Sequence, residues 1–174
     1  MIEDGSIAVL FWLLTLGSAA LDRADGWFER TAVTPYGVVA LGQTSFEGVT
    51  GAAEARLSYY PGAQYGPVRP LVDLSVTEKG GAFAGVGLAW QRDIDLGSLP
   101  LFVGVEFIPG VWADGDGPDL GGAFQVRSGL ELGVRIAAWN DARVSVMLDH
   151  RSNGDLESVN PGLESVSLRF HMPF

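Results

Sequence analysis

The chain has 174 residues, room for one domain and short for two. It has no cysteine, which excludes a disulfide framework and a thiolate metal site, and its two histidines are too few for a histidine-rich metal cage. A formal charge of −10 argues against a nucleic-acid partner, while 47% hydrophobic residues with 24 glycines suit either a soluble domain or a barrel in a membrane.

The first element is an apolar run over residues 7–16. It falls short of the ~18 residues of a membrane-spanning helix and matches the apolar core of an export signal. The small residues Gly17, Ser18, Ala19 and Ala20 follow it, as a cleavage site requires. Glu3 and Asp4, however, stand where such a signal carries basic residues, and the first Lys or Arg is Arg23. Residues 1–20 are therefore read as a signal peptide, or else as an N-terminal segment that stays on the protein as a short helix. Residues 26–174 are read as a single domain.

From Gly26 onward the pattern is strands and turns. Residues 36–43 form a short apolar strand, with 27–34 as a rim segment before it. In 51–60, Ala53, Ala55, Leu57 and Tyr59 alternate with Glu54, Arg56 and Ser58. In 68–77, Val72, Leu74 and Val76 alternate with Asp73, Ser75 and Thr77, and residues 78–81 make a tight turn. Residues 82–91 put Ala84, Val86, Leu88 and Trp90 on one face and Gly85, Gly87 and Gln91 on the other. Residues 99–108 set Val103, Val105 and Phe107 against Gly104 and Glu106; residues 112–121 are a loop rich in Asp and Gly. Residues 122–136 set Phe124, Val126, Leu130, Leu132 and Val134 against Gln125, Arg127, Glu131 and Arg135. Two further alternating segments, 143–149 and 165–174, end the chain. Period-two alternation marks strands with one apolar and one polar face. The expected fold is all-β, an eight-stranded antiparallel up-and-down barrel, since no helix-length crossover separates any pair of strands.

In a soluble barrel the apolar face fills the interior; in a transmembrane barrel it faces lipid and paired charges fill the lumen. Alternation alone does not choose. The polar face, though, is built from Arg and Gly, with a single lysine, Lys79, in a turn. The chain also ends on an alternating strand with a terminal Phe174, which resembles the C-terminal signature of bacterial outer-membrane barrels. The transmembrane arrangement is therefore expected.

The candidate chemistry lies near the C-terminus. His150, Ser152 and Glu164 share parity with Val144, Val146, Leu148, Val166 and Leu168, not with the charged residues. His150 and Ser152 are two apart on one strand, so their side chains point the same way, roughly 7 Å apart at Cα. A hydroxyl, an imidazole and a carboxylate able to converge are the parts of an activated-nucleophile triad. A site at the rim of the apolar face suits a substrate embedded in a bilayer. His171 falls on the inward parity and is expected to be structural.

His150-x-Ser152-Asn153-Gly154 followed by Asn160-Pro161-Gly162-x-Glu164, at the end of an eight-stranded barrel, resembles the lipid A 3-O-deacylases of the PagL type. The matching motif covers about 15 residues; upstream of Leu148 only the general barrel pattern agrees. The resemblance implies an esterase of the bacterial outer membrane that removes the 3-position acyl chain of lipid A. It assigns Ser152 as nucleophile, His150 as general base, Glu164 as the carboxylate that orients the imidazole, and Asn153 with Gly154 as the oxyanion hole. It implies no metal or cofactor. The partners expected are lipid A or lipopolysaccharide and the outer membrane, with no nucleic acid, for a monomer or homodimer.

Two other readings stay open. Ser152-Asn153-Gly154 and Asn160-Pro161-Gly162 are also ordinary turn sequences, so the chain could be a structural or adhesive outer-membrane barrel without activity. It could also be a soluble lipocalin-like barrel holding an apolar ligand. Asp93, Asp95, Asp114, Asp116, Asp119, Asp155 and Glu157 are read as loop residues, either a solvated rim or a surface associated with divalent cations and lipopolysaccharide.

Overall fold

Eight long strands close into an antiparallel barrel in the computed structural model, which describes residues 6–21, 29–97 and 99–174. The elements in order are α1 (Ser6–Leu21), β1 (Arg30–Ala32), β2 (Tyr36–Phe46), β3 (Val49–Tyr60), β4 (Ala63–Tyr65), β5 (Val68–Thr77), β6 (Ala82–Leu96), β7 (Leu99–Ala113), β8 (Phe124–Ile136), β9 (Ala142–Ser152) and β10 (Leu163–Pro173). The barrel runs β2–β3–β5–β6–β7–β8–β9–β10, and β10 pairs back onto β2 from Glu164↔Ser45 to Pro173↔Tyr36. Closure leaves no long strand with an unpaired edge, which hydrocarbon surroundings require. The short strands β1 and β4 pair with each other as a flap at the end where β2 begins and β10 finishes.

The eight strands match the sequence pattern, with longer limits in places. β6 and β7 each run to 15 residues, so Asp93 and Asp95, both read as loop residues, lie in a strand. The loop read as starting at Trp112 starts at Asp114, because Trp112 is still paired with Phe83 and buried inside the barrel. Of the rim segment 27–34, residues 30–32 form β1, and 27–28 lie outside the described residues, as do Glu3, Asp4 and the side chain of Asp95. The hairpin between β2 and β3 turns on Glu47 and Gly48, both at positive φ (52° and 77°), the conformation of a two-residue turn whose twist matches paired strands.

The direction of the side chains settles which face is inside. Outward-facing Leu41, Leu132 and Leu168 are 69%, 57% and 60% exposed, whereas Arg127, Arg169 and Asp73 are fully buried in the lumen. A water-soluble protein does not present a continuous apolar belt of this kind. The apolar-ligand barrel is thereby excluded: its interior would be apolar, and this one is ionic.

The lumen is filled by a connected set of charges. Arg56 pairs with Asp73 (2.6 Å) and Glu106 (2.7 Å). Arg127 pairs with Glu54 (2.5 Å) and Asp73 (3.0 Å). Arg169 pairs with Glu106 (2.8 Å) and Glu131 (3.3 Å), and Tyr60 donates a short hydrogen bond to Glu106. His171, inward as expected, has Nε2 2.9 Å from Glu131. An eight-stranded barrel has room for its side chains and no water channel, so these charges satisfy one another. Aromatic residues mark the outer rim at the termini end, where Tyr59 stacks on Phe174 and Trp139 is exposed.

Helix α1 lies on the outer wall. Ile7 and Phe11 are buried against Val68, Trp90 and Val105, and the Trp90 Nε1–H donates to Ser18 Oγ (3.0 Å). Trp90 is for this reason buried, although it faces away from the lumen. Among the described residues no helix is long and apolar enough to cross a membrane, which says nothing of strands.

Replacing Arg169 with methionine removes the shared partner of Glu106 and Glu131 and leaves both carboxylates buried. The expected loss is about 3–5 kcal/mol of stability. It is measured as a lowered urea midpoint for the barrel folded in vesicles; an unchanged midpoint would show that the lumen charges do not depend on one another.

Candidate active site

Strand β9 builds the site by alternation. Asp149 points inward, with Nε of Arg127 3.3 Å away and the Ser165 hydroxyl donating to it at 2.8 Å. Arg151 also points inward, paired with Glu54 (2.7 Å) and stacked over the Trp112 ring (4.4 Å). His150 and Ser152, between and beyond them, therefore point outward. His150 is thus held between two residues locked in the lumen network, and Ser152 follows the second of them.

Pairing of β9 with its neighbours sets a row across the outer wall. His150 lies opposite Glu164 on β10 and opposite Ser128 on β8; Glu164 in turn lies opposite Ser45 on β2. Ser152 lies opposite Val126. The imidazole Nδ1 is 3.8 Å from Glu164 Oε1, with the His150 side chain buried and that of Glu164 about one-third exposed. That separation suits an electrostatic pair and exceeds hydrogen-bond length. The structure thus brings His150 and Glu164 together and sets Ser152 two residues along β9 on the face of His150.

His150 and Ser152 are buried, at 3% and 8% exposed, at the strand ends where two loops meet. Residues 153–162 turn tightly at Gly154 and Asp155, both at positive φ, and the Leu156 N–H reaches Asn153 O (3.4 Å). Asn153 ties this loop to residues 114–123: its Nδ2 donates to Leu120 O (3.2 Å) and Val159 O (2.7 Å). The Asn153 backbone N–H donates to Asn160 Oδ1 (2.9 Å), and Asn160 Nδ2 donates to Asp155 Oδ1 (2.9 Å). Both amide hydrogens of Asn153 are thus engaged. A Cβ placed on Gly154 would meet nothing within 4 Å, so space is open there.

Gly162 shapes the floor. Its φ is +73°, and a Cβ at this position would stand 2.7 Å from His150 Cε1. Only glycine meets both conditions, the left-handed backbone and the close approach of the ring. Pro161 before it fixes the chain that enters β10.

Ser128 was not singled out by sequence reasoning. It is buried, faces outward and lies opposite His150. The signal was present: Ser128 interrupts the apolar parity of Phe124, Val126, Leu130 and Leu132 in the same way that His150 and Ser152 interrupt theirs. Among the described residues no cluster of His, Asp and Glu has the arrangement of a metal site.

Comparison with known proteins identifies the family and the fold. Residues 39–173 match the model of the lipid A 3-O-deacylase (PagL) family. Among solved structures, the outer membrane enzyme PagL superimposes with a TM-score of 0.60 at 19% identity, covering 79% of this chain and 99% of that one. Neisserial surface protein A superimposes with a TM-score of 0.55 at 16% identity, over 84% and 99% of the two chains. A de novo designed transmembrane β-barrel follows with a TM-score of 0.50 at 13% identity, over 83% and 98%. No curated protein sequence matches the chain. The family model spans most of the barrel, including every residue of the site, and the chain belongs to the lipid A 3-O-deacylase (PagL) family of bacterial outer-membrane barrels.

Proposed function

We propose that the protein is a serine esterase that hydrolyses the ester-linked acyl chain at the 3-position of lipid A. The observation that carries this reading is the outward row of His150 and Glu164, with Ser152 beside it, on a lipid-facing wall. Such a wall is otherwise apolar, and an isolated carboxylate there is costly unless partnered.

The Ser152 hydroxyl attacks the acyl carbonyl as His150 takes its proton. Glu164 holds the imidazole tautomer and stabilises the imidazolium. The tetrahedral intermediate collapses with cleavage of the bond to the sugar oxygen, which receives the proton from His150. Water, activated by the same imidazole, then frees the fatty acid from Ser152. In this reading the Gly154 N–H, beside open space, donates directly to the oxyanion. Asn153 joins it by exchanging its longer bond, to Leu120 O, for the developing charge. Ser128 acts as a positioning residue that borders the imidazole on the side opposite Glu164.

The ends of the barrel also fit this substrate. The two ten-residue connections, 114–123 and 153–162, lie at the site end, and connections of seven residues or fewer lie at the other. Long loops belong on the outside of outer-membrane barrels and short turns on the periplasmic side, so the site faces the leaflet that holds lipid A. We further propose that residues 1–20 serve export. Once they are removed, the wall formed by Trp90, Val105 and Phe107 contacts lipid. The oligomeric state is proposed as monomer or homodimer, since every catalytic part lies within one chain.

Mass spectrometry of lipid A from cells producing the wild type or Ser152→Ala provides the test. Loss of one 3-position acyl chain is expected with the wild type alone; identical acylation patterns would leave a non-enzymatic barrel as the reading. His150→Ala is expected to lower kcat by roughly 10²–10⁴-fold. Gly162→Ala is expected to push the imidazole off its floor and lower kcat by about 10²-fold, while the barrel keeps its folded mobility on unboiled gels. Unchanged kcat in that variant would show that the ring position does not matter to turnover.

A further inference from the structure

The end of the barrel away from the esterase site holds a polar recess of about 280 Å³ in the luminal mouth. Arg69, Arg143, Tyr36 and His171 line it from the strands, with Asn140 and Asp141 on the β8–β9 connection. A second recess of about 160 Å³ shares Arg69 and Arg143 and extends toward Gln64 and Gln91. The two guanidinium groups thus stand between adjoining spaces, and neither space has a part in acyl transfer.

The charges here differ from those deeper in the lumen. Arg56, Arg127 and Arg169 each meet carboxylates within 3.5 Å. Arg69 meets none among the described residues. It donates to the carbonyls of Thr34 (2.8 Å) and Pro61 (3.2 Å), lies over the Tyr36 ring at 4.6 Å, and keeps a buried Nε without a hydrogen-bond partner. Arg143 has Asp93 at 3.6 Å, a carboxylate that Arg135 shares at 3.6 Å. His171, 1% exposed, spends Nε2 on Glu131 and Ser145, and its Nδ1 has no hydrogen-bond partner. Asp141 is the carboxylate on the lining of the larger recess and Asp93 the one on the smaller; both are exposed, where solvent screens them.

We propose that this recess binds a phosphate group carried on a small ester of about glycerol size. A guanidinium left without a carboxylate and a second one nearby together suit a tetrahedral anion with several acceptor oxygens. The recess is larger than a phosphate alone, which leaves room for the esterified group. That chemistry comes either from a soluble phosphate ester or from the headgroup of a phospholipid in the near leaflet, since Pro173 on the lining adjoins Phe174, whose ring stacks on Tyr59 at the outer rim.

The test is a ³¹P NMR titration of the folded full chain in non-ionic detergent with glycerol 3-phosphate, repeated in nanodiscs of phosphatidylcholine with and without phosphatidylglycerol. Succinate serves as a carboxylate control. Saturable binding is expected in one arm, weakened at least about tenfold by Arg69→Gln and by Arg143→Gln and less by Arg69→Lys, which keeps charge and loses the planar fork. Saturation by glycerol 3-phosphate assigns a soluble ester; an effect confined to phosphatidylglycerol nanodiscs assigns a lipid headgroup. Absence of saturable binding in both arms, equal binding of succinate, or binding unaffected by the substitutions would overturn the proposal. Folded mobility on gels is checked for each variant, and if Arg69→Gln does not fold, Arg69→Lys and Arg143→Gln carry the comparison. The readout is independent of deacylation, so this site and the esterase reading stand or fall separately.

Discussion

The ion-pair network in the lumen is the constraint from which the rest follows. A barrel whose outer wall meets hydrocarbon must send its polar side chains inward, and an eight-stranded interior has no water to solvate them. Arg56, Arg127, Arg151 and Arg169 consequently share Glu54, Asp73, Glu106 and Glu131 in overlapping pairs. A one-residue slip of any strand would move its charges into lipid and its leucines into the ionic core, so the network fixes register as well as fold. Whether such pairs add net stability matters less than this: each wrong register leaves buried charges unpaired.

The same network aims the candidate catalytic residues. His150 stands between Asp149 and Arg151 in the chain, and both of these are locked inside, by Arg127 and Ser165 and by Glu54 and Trp112 respectively. The backbone of β9 therefore cannot rotate at His150 without breaking buried ion pairs. Rigid strands position reacting groups better than loops do. The loops contribute differently: Asn153 ties the two of them together at the strand ends, and Gly162 allows the imidazole to lie against the backbone.

Much of this was legible in the sequence, because a period of two is the simplest pattern a chain can carry. Strand number, closure order, the inward direction of His171 and the outward direction of His150, Ser152 and Glu164 all follow from parity. The choice of which face meets lipid needed chemistry beyond alternation: arginine in place of lysine on the polar face. Other features were not legible for specific reasons. Asp93 looked like a loop residue because an acid next to a turn is usually solvated; instead β6 continues through it, where it pairs with Arg135 and Arg143 across the sheet. The contact of Asn153 with Leu120 joins two loops over 30 residues apart, and no local pattern records such a pairing. Ser128 was overlooked because serine carries little weight in a hydrophobic count, although its parity was the clue.

The two ends of the cylinder divide their chemistry by side of the wall. At the site end the candidate catalytic groups leave the lumen and face lipid, as the proposed substrate demands, since an ester embedded among acyl chains reaches a barrel through its outer surface. At the termini end the unpaired cation stays within the lumen mouth, open to the aqueous side. Between them lies the packed ionic core, without a channel, so a ligand at one end has no path to the other. Alternation explains the division: an outward residue can only serve the membrane and an inward residue only the lumen or its mouths. One parity read along β9 and β10 thus separates His150 and Glu164 from Arg143 and His171, residues on the same two strands that face different solvents.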